Sequence, residues 1–445
     1  MKVKVLTRNP DEYLRETTRD IHKVPRNYDP KLHPLEAPRE YTRALNAVKL
    51  DRVFAKPFIG SLDGHTEGIS VLCKRPKSLS TVASGAFDGE VRLWDLTTRR
   101  CLKHLQAHEN FVRGIAFTSD GERFATVGDD KTIKFWKVSS PNVGEEERPL
   151  KTIVSKVILT GIAFSPKIEK YATCGEICQI WEETRNEPVR SFSWGKDSVD
   201  TLAFNPIEPH ILGTSSQNRS ITFYDIREAG PIKQMTLQMR TNQLAWNPME
   251  STTYTVANED FCLYTFDMRF MTSAVTIHKG HTSAVTCLDY APTGQEIVSG
   301  SYDRTLRIFQ RNKKFSRDVY HTKRMQRITD VVWSSDNKYI INSSDEMNLR
   351  IWKAKASEKL GVLRPREKRA LNYNEALLNK FELFPEIRSI NRHRHVPKYI
   401  QSMTKKIKMN YNKEKRKEAN RRAHSKPGTE PESRPKSDFI VSNIE

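Results

Sequence analysis

The chain has 445 residues, of which 37% are hydrophobic and 29% are charged, and its formal net charge is +20 at pH 7. Its apolar runs span only a few residues, whereas a membrane-crossing helix needs about 20, so we expect no membrane protein. The N-terminal MKVKVLTRNPDEYLRE has no apolar stretch typical of a secretion signal, and the six cysteines include no CxxC pair. We therefore expect an unsecreted chain with reduced thiols and with neither a metal site nor a cofactor.

The positive charge is concentrated near the end of the chain. Residues 353–426 hold 22 Lys and Arg against 7 Asp and Glu, whereas residues 52–352 hold 39 against 35. The body of the protein is therefore nearly balanced, and the basicity belongs to an appendage.

Residues 1–51 contain prolines at positions 25, 30, 34 and 38. Proline removes a backbone donor and favours extended structure, so we expect an extended N-terminal strap over this segment. A short helix is predicted from Pro38, in the sequence PREYTRALNAVKL.

A repeat with a period near 43 residues follows. It is marked by seven aromatic residues, each about six residues after a polar turn: Trp94, Trp136, Trp181, Tyr224, Phe266, Phe309 and Trp352. Sequences such as GAFDGEVRLW read as strand, tight turn, strand, and three repeats begin with a Gly-His or Ala-His pair. This is the WD40 pattern of four short strands per blade. We therefore predict an all-β fold, a seven-bladed propeller over 52–354, closed by a strand within 52–62.

Two repeats contain the polar set of a WD40 structural tetrad. These sets are His65, Ser84, Asp88 and Trp94, and His108, Thr126, Asp130 and Trp136. In such a tetrad a buried imidazole bridges a turn carboxylate and a strand hydroxyl, and the indole N–H completes the relay. We expect these residues to hold blades together and to catalyse nothing.

The sequence carries no phosphate loop, dinucleotide fingerprint, nucleophile elbow or HExxH motif. An enzyme is therefore not expected, and neither is a small-molecule substrate. A propeller without such motifs is typical of a rigid platform for macromolecules.

The predicted C-terminal extension, 355–426, is basic and helical. Helices are indicated after Pro365, Pro385 and Pro397, and the last carries an apolar stripe of Ile400, Met403, Ile407 and Tyr411 at helical spacing. The candidate residues for RNA contact or nuclear targeting are Arg392, Arg394, Lys398, Lys405, Lys406, Lys408, Lys413, Lys415, Arg416, Lys417, Arg421 and Arg422. A solvated import signal and an RNA-binding helix both fit these clusters.

Two shorter segments complete the chain. His393 and His395 are two residues apart and point away from each other on a helix, so we expect polar or RNA-facing residues and no metal site. Residues 427–445 are predicted to be a disordered tail.

The flanks carry a more specific resemblance. The propeller is preceded by VPRNYDP and APREYTRALNA and followed by DEMNLRIWKAKASEKLGVL and RHRHVPKYI, and the chain thereby resembles the suppressor-of-fibrillarin (Sof-like) WD40 family over about residues 1–426. The resemblance implies a nuclear and nucleolar factor of the small-subunit processome, associated with pre-rRNA, U3 snoRNA and other processome proteins. It implies a scaffold that supports pre-rRNA cleavage to 18S rRNA and is not itself a nuclease.

Animal members of this family are also described as substrate receptors of cullin-RING ubiquitin ligases, which carry a W-D-x-R motif for the ligase adaptor. This chain has YDIR with Asp225 and Arg227, and FDMR with Asp267 and Arg269, so the aromatic departs from Trp in both. The alternative is that each Asp and Arg pair with each other and contact no partner. Ligase docking is therefore a second hypothesis for these four residues.

Overall fold

The structure, a computed structural model, describes residues 35–138, 148–193, 197–426, 428–429 and 439–444. Most of the predicted strap, residues 1–34, lies outside this range. The described residues form two compact units. One holds 35–54 and Lys359–His393, and the other holds Ala55–Glu358 and the described residues from Arg394 onward. None of the helices found in these ranges has the length and apolar character needed to cross a membrane.

Within the described residues, the first unit contains three helices, α1 (Glu36–Val53), α2 (Pro365–Lys380) and α3 (Pro385–Arg392). Its core contains Ala44, Val48, Leu377, Phe381 and Ile387. Residues 36–51, which the predicted strap includes, are helical and not extended, in agreement with the helix predicted from Pro38. Pro38 is tolerated because it lies in the first turn, where its missing N–H has no intrahelical partner.

The second unit begins with β1 (Phe58–Asp63), and the other strands follow in chain order, four to a blade except in blade 7. Blades 1 and 2 comprise β2 (Ile69–Lys74), β3 (Thr81–Ala86), β4 (Glu90–Asp95), β5 (Arg100–Gln106), β6 (Val112–Phe117), β7 (Arg123–Gly128), β8 (Thr132–Lys137) and β9 (Lys151–Val154). Blades 3 and 4 comprise β10 (Gly161–Phe164), β11 (Lys170–Cys174), β12 (Cys178–Glu182), β13 (Arg190–Phe192), β14 (Val199–Phe204), β15 (Ile211–Ser216), β16 (Ser220–Asp225) and β17 (Pro231–Leu237). Blades 5 to 7 comprise β18 (Thr241–Trp246), β19 (Thr253–Asn258), β20 (Cys262–Asp267), β21 (Thr276–Lys279), β22 (Val285–Tyr290), β23 (Glu296–Ser301), β24 (Leu306–Gln310), β25 (Asp318–Tyr320), β26 (Ile328–Trp333), β27 (Tyr339–Ser344) and β28 (Asn348–Lys353).

The ring closes through β1, which pairs antiparallel with β28 as the outer strand of blade 7. Leu62 of β1 is buried in one cluster with Trp94, Leu349 and Ile351, so apolar packing joins the last blade to the first. Closure hides strand edges that would otherwise pair with other chains. The predicted seven-bladed propeller is confirmed, with each repeated aromatic on the third strand of its blade.

A recurring side-chain hydrogen bond links the innermost strands of neighbouring blades. The hydroxyl of Thr329 donates to the carbonyl of Ile69, at 2.6 Å, across the closure point. Equivalent bonds run from Ser70 to Val112, from Thr160 to Val199, from Asn242 to Val285 and from Thr286 to Ile328. These bonds satisfy buried carbonyls and fix each blade against the next.

The described residues of this unit also form the long helix α4 (Lys398–Ala423) and a strand near the end of the chain, β29 (Ile440–Ile444). β29 pairs antiparallel with β17 and adds a fifth strand to blade 4. The predicted disordered tail over 427–445 is therefore wrong for residues 440–444. The structural reason is the preceding residue, Phe439, which is 8% exposed and packs in the core between blades 4 and 5.

Candidate functional site

The tetrad of blade 2 forms the polar relay that its sequence predicts. His108 Nδ1 lies 2.8 Å from the Asp130 carboxylate, and its Nε2 lies 2.8 Å from the Thr126 hydroxyl. The Trp136 indole N–H donates to the same hydroxyl at 3.1 Å. Burial lowers the pKa of His108, and the Asp130 carboxylate opposes this shift. The relay is buried and fully bonded, so its role is to hold the blade together.

The tetrad of blade 1 uses a different carboxylate from the predicted one. His65 Nε2 contacts the Ser84 hydroxyl at 2.6 Å, but its Nδ1 lies 3.0 Å from Glu90 and not from Asp88. Asp88 instead accepts hydrogen bonds from the Thr66 hydroxyl and from the backbone N–H of Glu90. The prediction for Asp88 is wrong because the longer Glu90 side chain reaches the imidazole, while the Asp88 carboxylate is hydrogen-bonded within the turn.

A third relay lies in blade 6, where His281 contacts Asp303 at 3.0 Å and Ser299 at 2.7 Å. Phe309 stands at the place of the tryptophan, and it has no N–H to donate. The apolar ring packs against the imidazole, with centroids 6.2 Å apart. Packing therefore replaces the last hydrogen bond of the relay.

The described residues contain no group of three or more His, Cys, Asp or Glu side chains placed to hold a metal ion. Cys174 and Cys178, the closest pair of cysteines in sequence, are both buried. Burial raises the pKa of the Cys174 thiol to about 12, so this thiol stays protonated at neutral pH.

The basic residues of α4 form one exposed, cationic helix. The helix holds ten Lys and Arg against two Glu, and at 26 residues it is about 39 Å long. The candidates on it that lie exposed are Lys398, Lys405, Lys406, Lys408, Lys413, Lys415, Arg416, Lys417 and Arg421. Arg422 is partly covered and pairs with Glu418 one turn earlier. The predicted apolar stripe is covered only at its start, since Ile400 is 3% exposed and Tyr411 is 53% exposed.

Arg394 does not belong with these exposed cations. Its guanidinium lies 3.1 Å from the Asp318 carboxylate on β25, donates to the carbonyl of Arg317, and is 15% exposed. The prediction that Arg394 contacts RNA or serves for targeting is therefore wrong, because its guanidinium is largely buried in the ion pair with Asp318. Its neighbour His395 accepts a hydrogen bond from His321 at 3.1 Å, while Arg392 and His393 are exposed residues of the helical unit.

The extension runs along the rim of the propeller across three successive blades. Arg394 and His395 are held on blade 6, and Tyr411 lies under the Lys279 ammonium of blade 5, which is 5.6 Å from the ring centroid. β29 then pairs with the outer strand of blade 4. The sequence predicted the helix but not these anchors, because the contacts depend on residues more than 70 positions away.

The two aspartate–arginine motifs end the third strands of blades 4 and 5. Arg227 Nε lies 3.3 Å from Asp225, and Arg269 Nη2 lies 2.9 Å from Asp267. The Arg227 and Arg269 side chains are nevertheless 67% and 66% exposed. Each arginine is therefore oriented by its aspartate, and its guanidinium remains exposed.

Arg227 also lines a cavity of about 360 Å³ between blades 3 and 4. The cavity combines an aliphatic floor, which includes Ile168 and Ile226, with the cationic side chains of Lys170 and Arg190. It gives this side of the propeller a recess next to the YDIR motif.

Comparison with known proteins agrees with this architecture. Residues 354–438 match the Sof1-like domain family, and residues 56–95, 99–137, 272–310 and 318–353 match the WD domain, G-beta repeat family. A Xenopus laevis protein named DDB1- and CUL4-associated factor 13 is 55% identical over 445 residues and covers 100% of both chains. The chain belongs to the Sof1-like family of WD40 proteins.

Other Sof1-like relatives are similarly close. The Homo sapiens protein of the same name is 54% identical over 444 residues, covering 100% of both chains, and that of Dictyostelium discoideum is 43% identical over 401 residues, covering 90% of both. Among solved structures, the WD40 β-propeller domain of Doa1 aligns with a TM-score of 0.58 at 21% identity, covering 67% of this chain and 96% of that one. This last likeness concerns the fold alone.

Proposed function

We propose that this Sof1-like chain is a non-catalytic scaffold of the small-subunit processome, which holds pre-rRNA or U3 snoRNA while 18S rRNA is produced. The observation that carries the proposal is α4, a helix of 26 residues with ten cations and two carboxylates along the propeller rim. A cationic helix of this length faces several consecutive phosphates at once. The Sof1-like match over 354–438 covers the same segment and supports the same assignment.

The anchors of α4 make it a better RNA-binding element than a free tail. Arg394 is paired with Asp318 and Ile400 is buried, so the start of the helix is fixed on the propeller. A prearranged row of cations loses less conformational entropy on binding than a flexible one. The exposed Tyr411 ring, already next to Lys279, adds a face on which a base can stack.

A scaffold role suits the rest of the molecule. The histidines of the three relays are buried and bonded within their blades, so they are not free to act on a substrate. The matched families are a repeat family and a Sof1-like domain family, and neither description names an enzyme activity. We propose a nuclear and nucleolar location, with the clusters at 405–408 and 413–417 also serving for import.

The test changes Lys405, Lys406, Lys408 and Lys413 to Glu in the full-length chain. We expect recovery of pre-rRNA and U3 snoRNA after ultraviolet crosslinking to fall at least about tenfold, because the row of cations facing phosphate is reversed. With purified protein, a plot of log affinity against log salt concentration has a negative slope. In the variant this slope should be less steep by about two to three, since about 0.7 counterions are released per single-strand phosphate contact and four contacts are lost.

The matched control reverses four exposed lysines of the propeller, Lys77, Lys131, Lys137 and Lys156. It makes the same change in net charge and should leave RNA recovery within about twofold of the unmodified chain. Equal losses in both variants would mean that only total charge matters, and unchanged recovery in the helix variant would remove the RNA-contact assignment.

We propose substrate-receptor docking to a cullin-RING ligase as a second function. It is favoured by the name of the relatives, DDB1- and CUL4-associated factor 13, and by the exposed guanidiniums of Arg227 and Arg269. Two preoriented arginines on adjacent blades form a pair of charged anchors, a residue type enriched at interface hot spots.

Changing Arg227 and Arg269 to Ala should reduce co-purification of DDB1 at least about tenfold. Arg185 is the control, because its side chain is 64% exposed and also pairs with a nearby carboxylate, Glu182 at 3.1 Å. Arg185→Ala should leave DDB1 recovery unchanged. Persistent DDB1 binding by the double variant would contradict the docking assignment.

A further inference from the structure

The outer edge of blade 4 is occupied by a segment from the far end of the chain. Strand β29 pairs with β17 in antiparallel register, with Gln234 opposite Ile444 and Leu237 opposite Ile440. The backbone N–H of Gln238 also donates to the carbonyl of Phe439, at 2.9 Å. Main-chain bonding of this kind accepts any extended segment, so specificity must come from side chains.

That specificity is concentrated in one aromatic anchor. The Phe439 ring stacks on Tyr264 of blade 5, with centroids 4.0 Å apart and planes 24° apart. It lies in the core cluster that includes Met235, Leu237 and Met271. The Tyr264 hydroxyl donates to Asp260, so the receiving ring is positioned by the propeller itself. The receptor half of this contact therefore does not depend on β29.

The rest of the segment is less buried than Phe439, although Ile440 is partly buried against the same core cluster. Val441 is 63% exposed and Ile444 is 55% exposed, whereas Phe439 is 8% exposed. A few main-chain bonds and one buried ring are the usual composition of an exchangeable strand ligand, in which a single anchor supplies most of the affinity. The same edge would be a hazard if left open, since unpaired strands recruit other strands.

We propose that the β17 edge and the Tyr264 ring form a docking site for an extended segment of a partner protein. The segment that fits carries an aromatic residue followed directly by an aliphatic β-strand, and residues 439–444 fill the site in cis with this chemistry. The site lies beside the FDMR motif, since Met268 packs against the same cluster as Phe439. The inference goes beyond the scaffold role and does not depend on RNA binding or on ligase docking.

The test measures binding in trans of a fluorescently labelled peptide, KSDFIVSNI, which corresponds to residues 436–444. Three proteins are compared by fluorescence anisotropy: the full-length chain, the full-length F439A chain, and a chain ending at residue 438. We expect the last two to bind the peptide at least tenfold more tightly than the full-length chain, whose site is filled. If the shortened chain does not fold, peptide binding to an opened site can still be measured with the full-length F439A chain.

Peptide variants define the chemistry of the site. The Phe439→Ala peptide should bind at least tenfold more weakly, because the buried anchor is lost, whereas Val441→Thr, at an exposed position, should bind within about twofold. A peptide with Phe439→Tyr, Ile440→Val and Ile444→Val keeps the pattern and should still bind. Its failure would restrict the site to the chain's own segment and overturn the proposal.

Two further results would also overturn it. Equal binding of the Phe439→Ala peptide, or no binding to either opened chain, would show that no strand-docking site exists at this edge. A full-length dimer that the peptide dissociates would make a second copy of this chain the occupant in place of a partner protein.

Discussion

Asp330 is a carboxyl group buried at the innermost strand of blade 7. Its oxygens accept hydrogen bonds from the backbone N–H groups of Leu72 and Val331, both at 2.8 Å. Burial raises its pKa to about 7, and the nearby Asp289 carboxylate adds to this shift. Asp289 is itself paired with Lys74 at 3.0 Å. Asp330 therefore keeps its proton in the folded state at pH values below about 7.

This shift predicts a pH-dependent stability. In the unfolded chain the Asp330 carboxyl has its ordinary pKa of 3.8, whereas in the folded chain burial raises that pKa to about 7. The contribution to the free energy of unfolding is therefore present below about pH 4 and is lost as the pH rises through about 7. Between pH 4 and pH 8, the free energy of unfolding of the unmodified chain should therefore fall by on the order of 2–4 kcal/mol because of Asp330. We expect this decrease to be absent in the Asp330→Asn chain, as measured by urea denaturation at each pH.

The control for this prediction is Asp120→Asn, which removes an exposed carboxylate. It should leave the pH dependence of the free energy of unfolding unchanged. The same pH slope in the Asp330→Asn chain and in the unmodified chain would mean that Asp330 is ionised in the folded state.

At the scale of single residues, the sequence predicts the positions of the side chains in the blades better than it predicts their hydrogen-bond and ion-pair partners. The even spacing of the repeats places His65, Ser84 and Trp94 correctly, because each position is fixed by its strand. It does not decide between Asp88 and Glu90, since both carboxylates lie near the turn and only side-chain reach selects one. Arg394 fails for a related reason, because its ion pair with Asp318 joins residues far apart in sequence.

At the scale of elements, helical periodicity shows which side chains share a face but not whether that face is covered. The stripe from Ile400 to Tyr411 has the predicted spacing, yet only Ile400 is buried. The rest of α4 extends along the rim of the propeller, and most of its side chains are exposed to solvent. An exposed apolar stripe beside lysines agrees with the proposed RNA-binding role, in which bases and neighbouring proteins supply the missing cover.

The last strand, β29, shows that amino-acid composition alone does not predict where an ordered segment lies within a polar tail. The segment from 427 to 438 is rich in Pro, Ser and charged residues, and this predicted a disordered tail as a whole. The short sequence FIVSNI at 439–444 carried the opposite signal, an aromatic residue followed by β-branched residues. A strand of five residues is stable only when the edge of a sheet is available for it to pair with, and the sequence alone does not reveal that edge.

At the scale of the whole molecule, the propeller was predictable and the course of its extension was not. Seven aromatics at a spacing of 42 to 45 residues predict seven blades even where the histidine or the tryptophan is absent, because each blade packs through its third strand. The family match covers four repeats, and the structure forms all seven. The route of the extension over blades 6, 5 and 4 depends on contacts such as Arg394–Asp318 and Phe439–Tyr264, for which no local pattern exists.

The propeller and its basic extension together suggest how the proposed scaffold would work. The rim carries a fixed cationic helix, while Arg227 and Arg269 on adjacent blades remain exposed to protein partners. In this proposal, RNA and protein contacts are made at the same time by different surfaces of the propeller unit. The proposed role in 18S rRNA production requires the helix to be present and positively charged.

The most direct test of this account is 18S rRNA maturation in cells depleted of the endogenous protein and supplied with one of three chains. These are the unmodified chain, the variant with Lys405, Lys406, Lys408 and Lys413 changed to Glu, and the control with Lys77, Lys131, Lys137 and Lys156 changed to Glu. We expect 18S precursors to accumulate after depletion and with the helix variant, and to be processed with the unmodified chain and the control. Normal 18S maturation after depletion, or full rescue by the helix variant, would contradict the account.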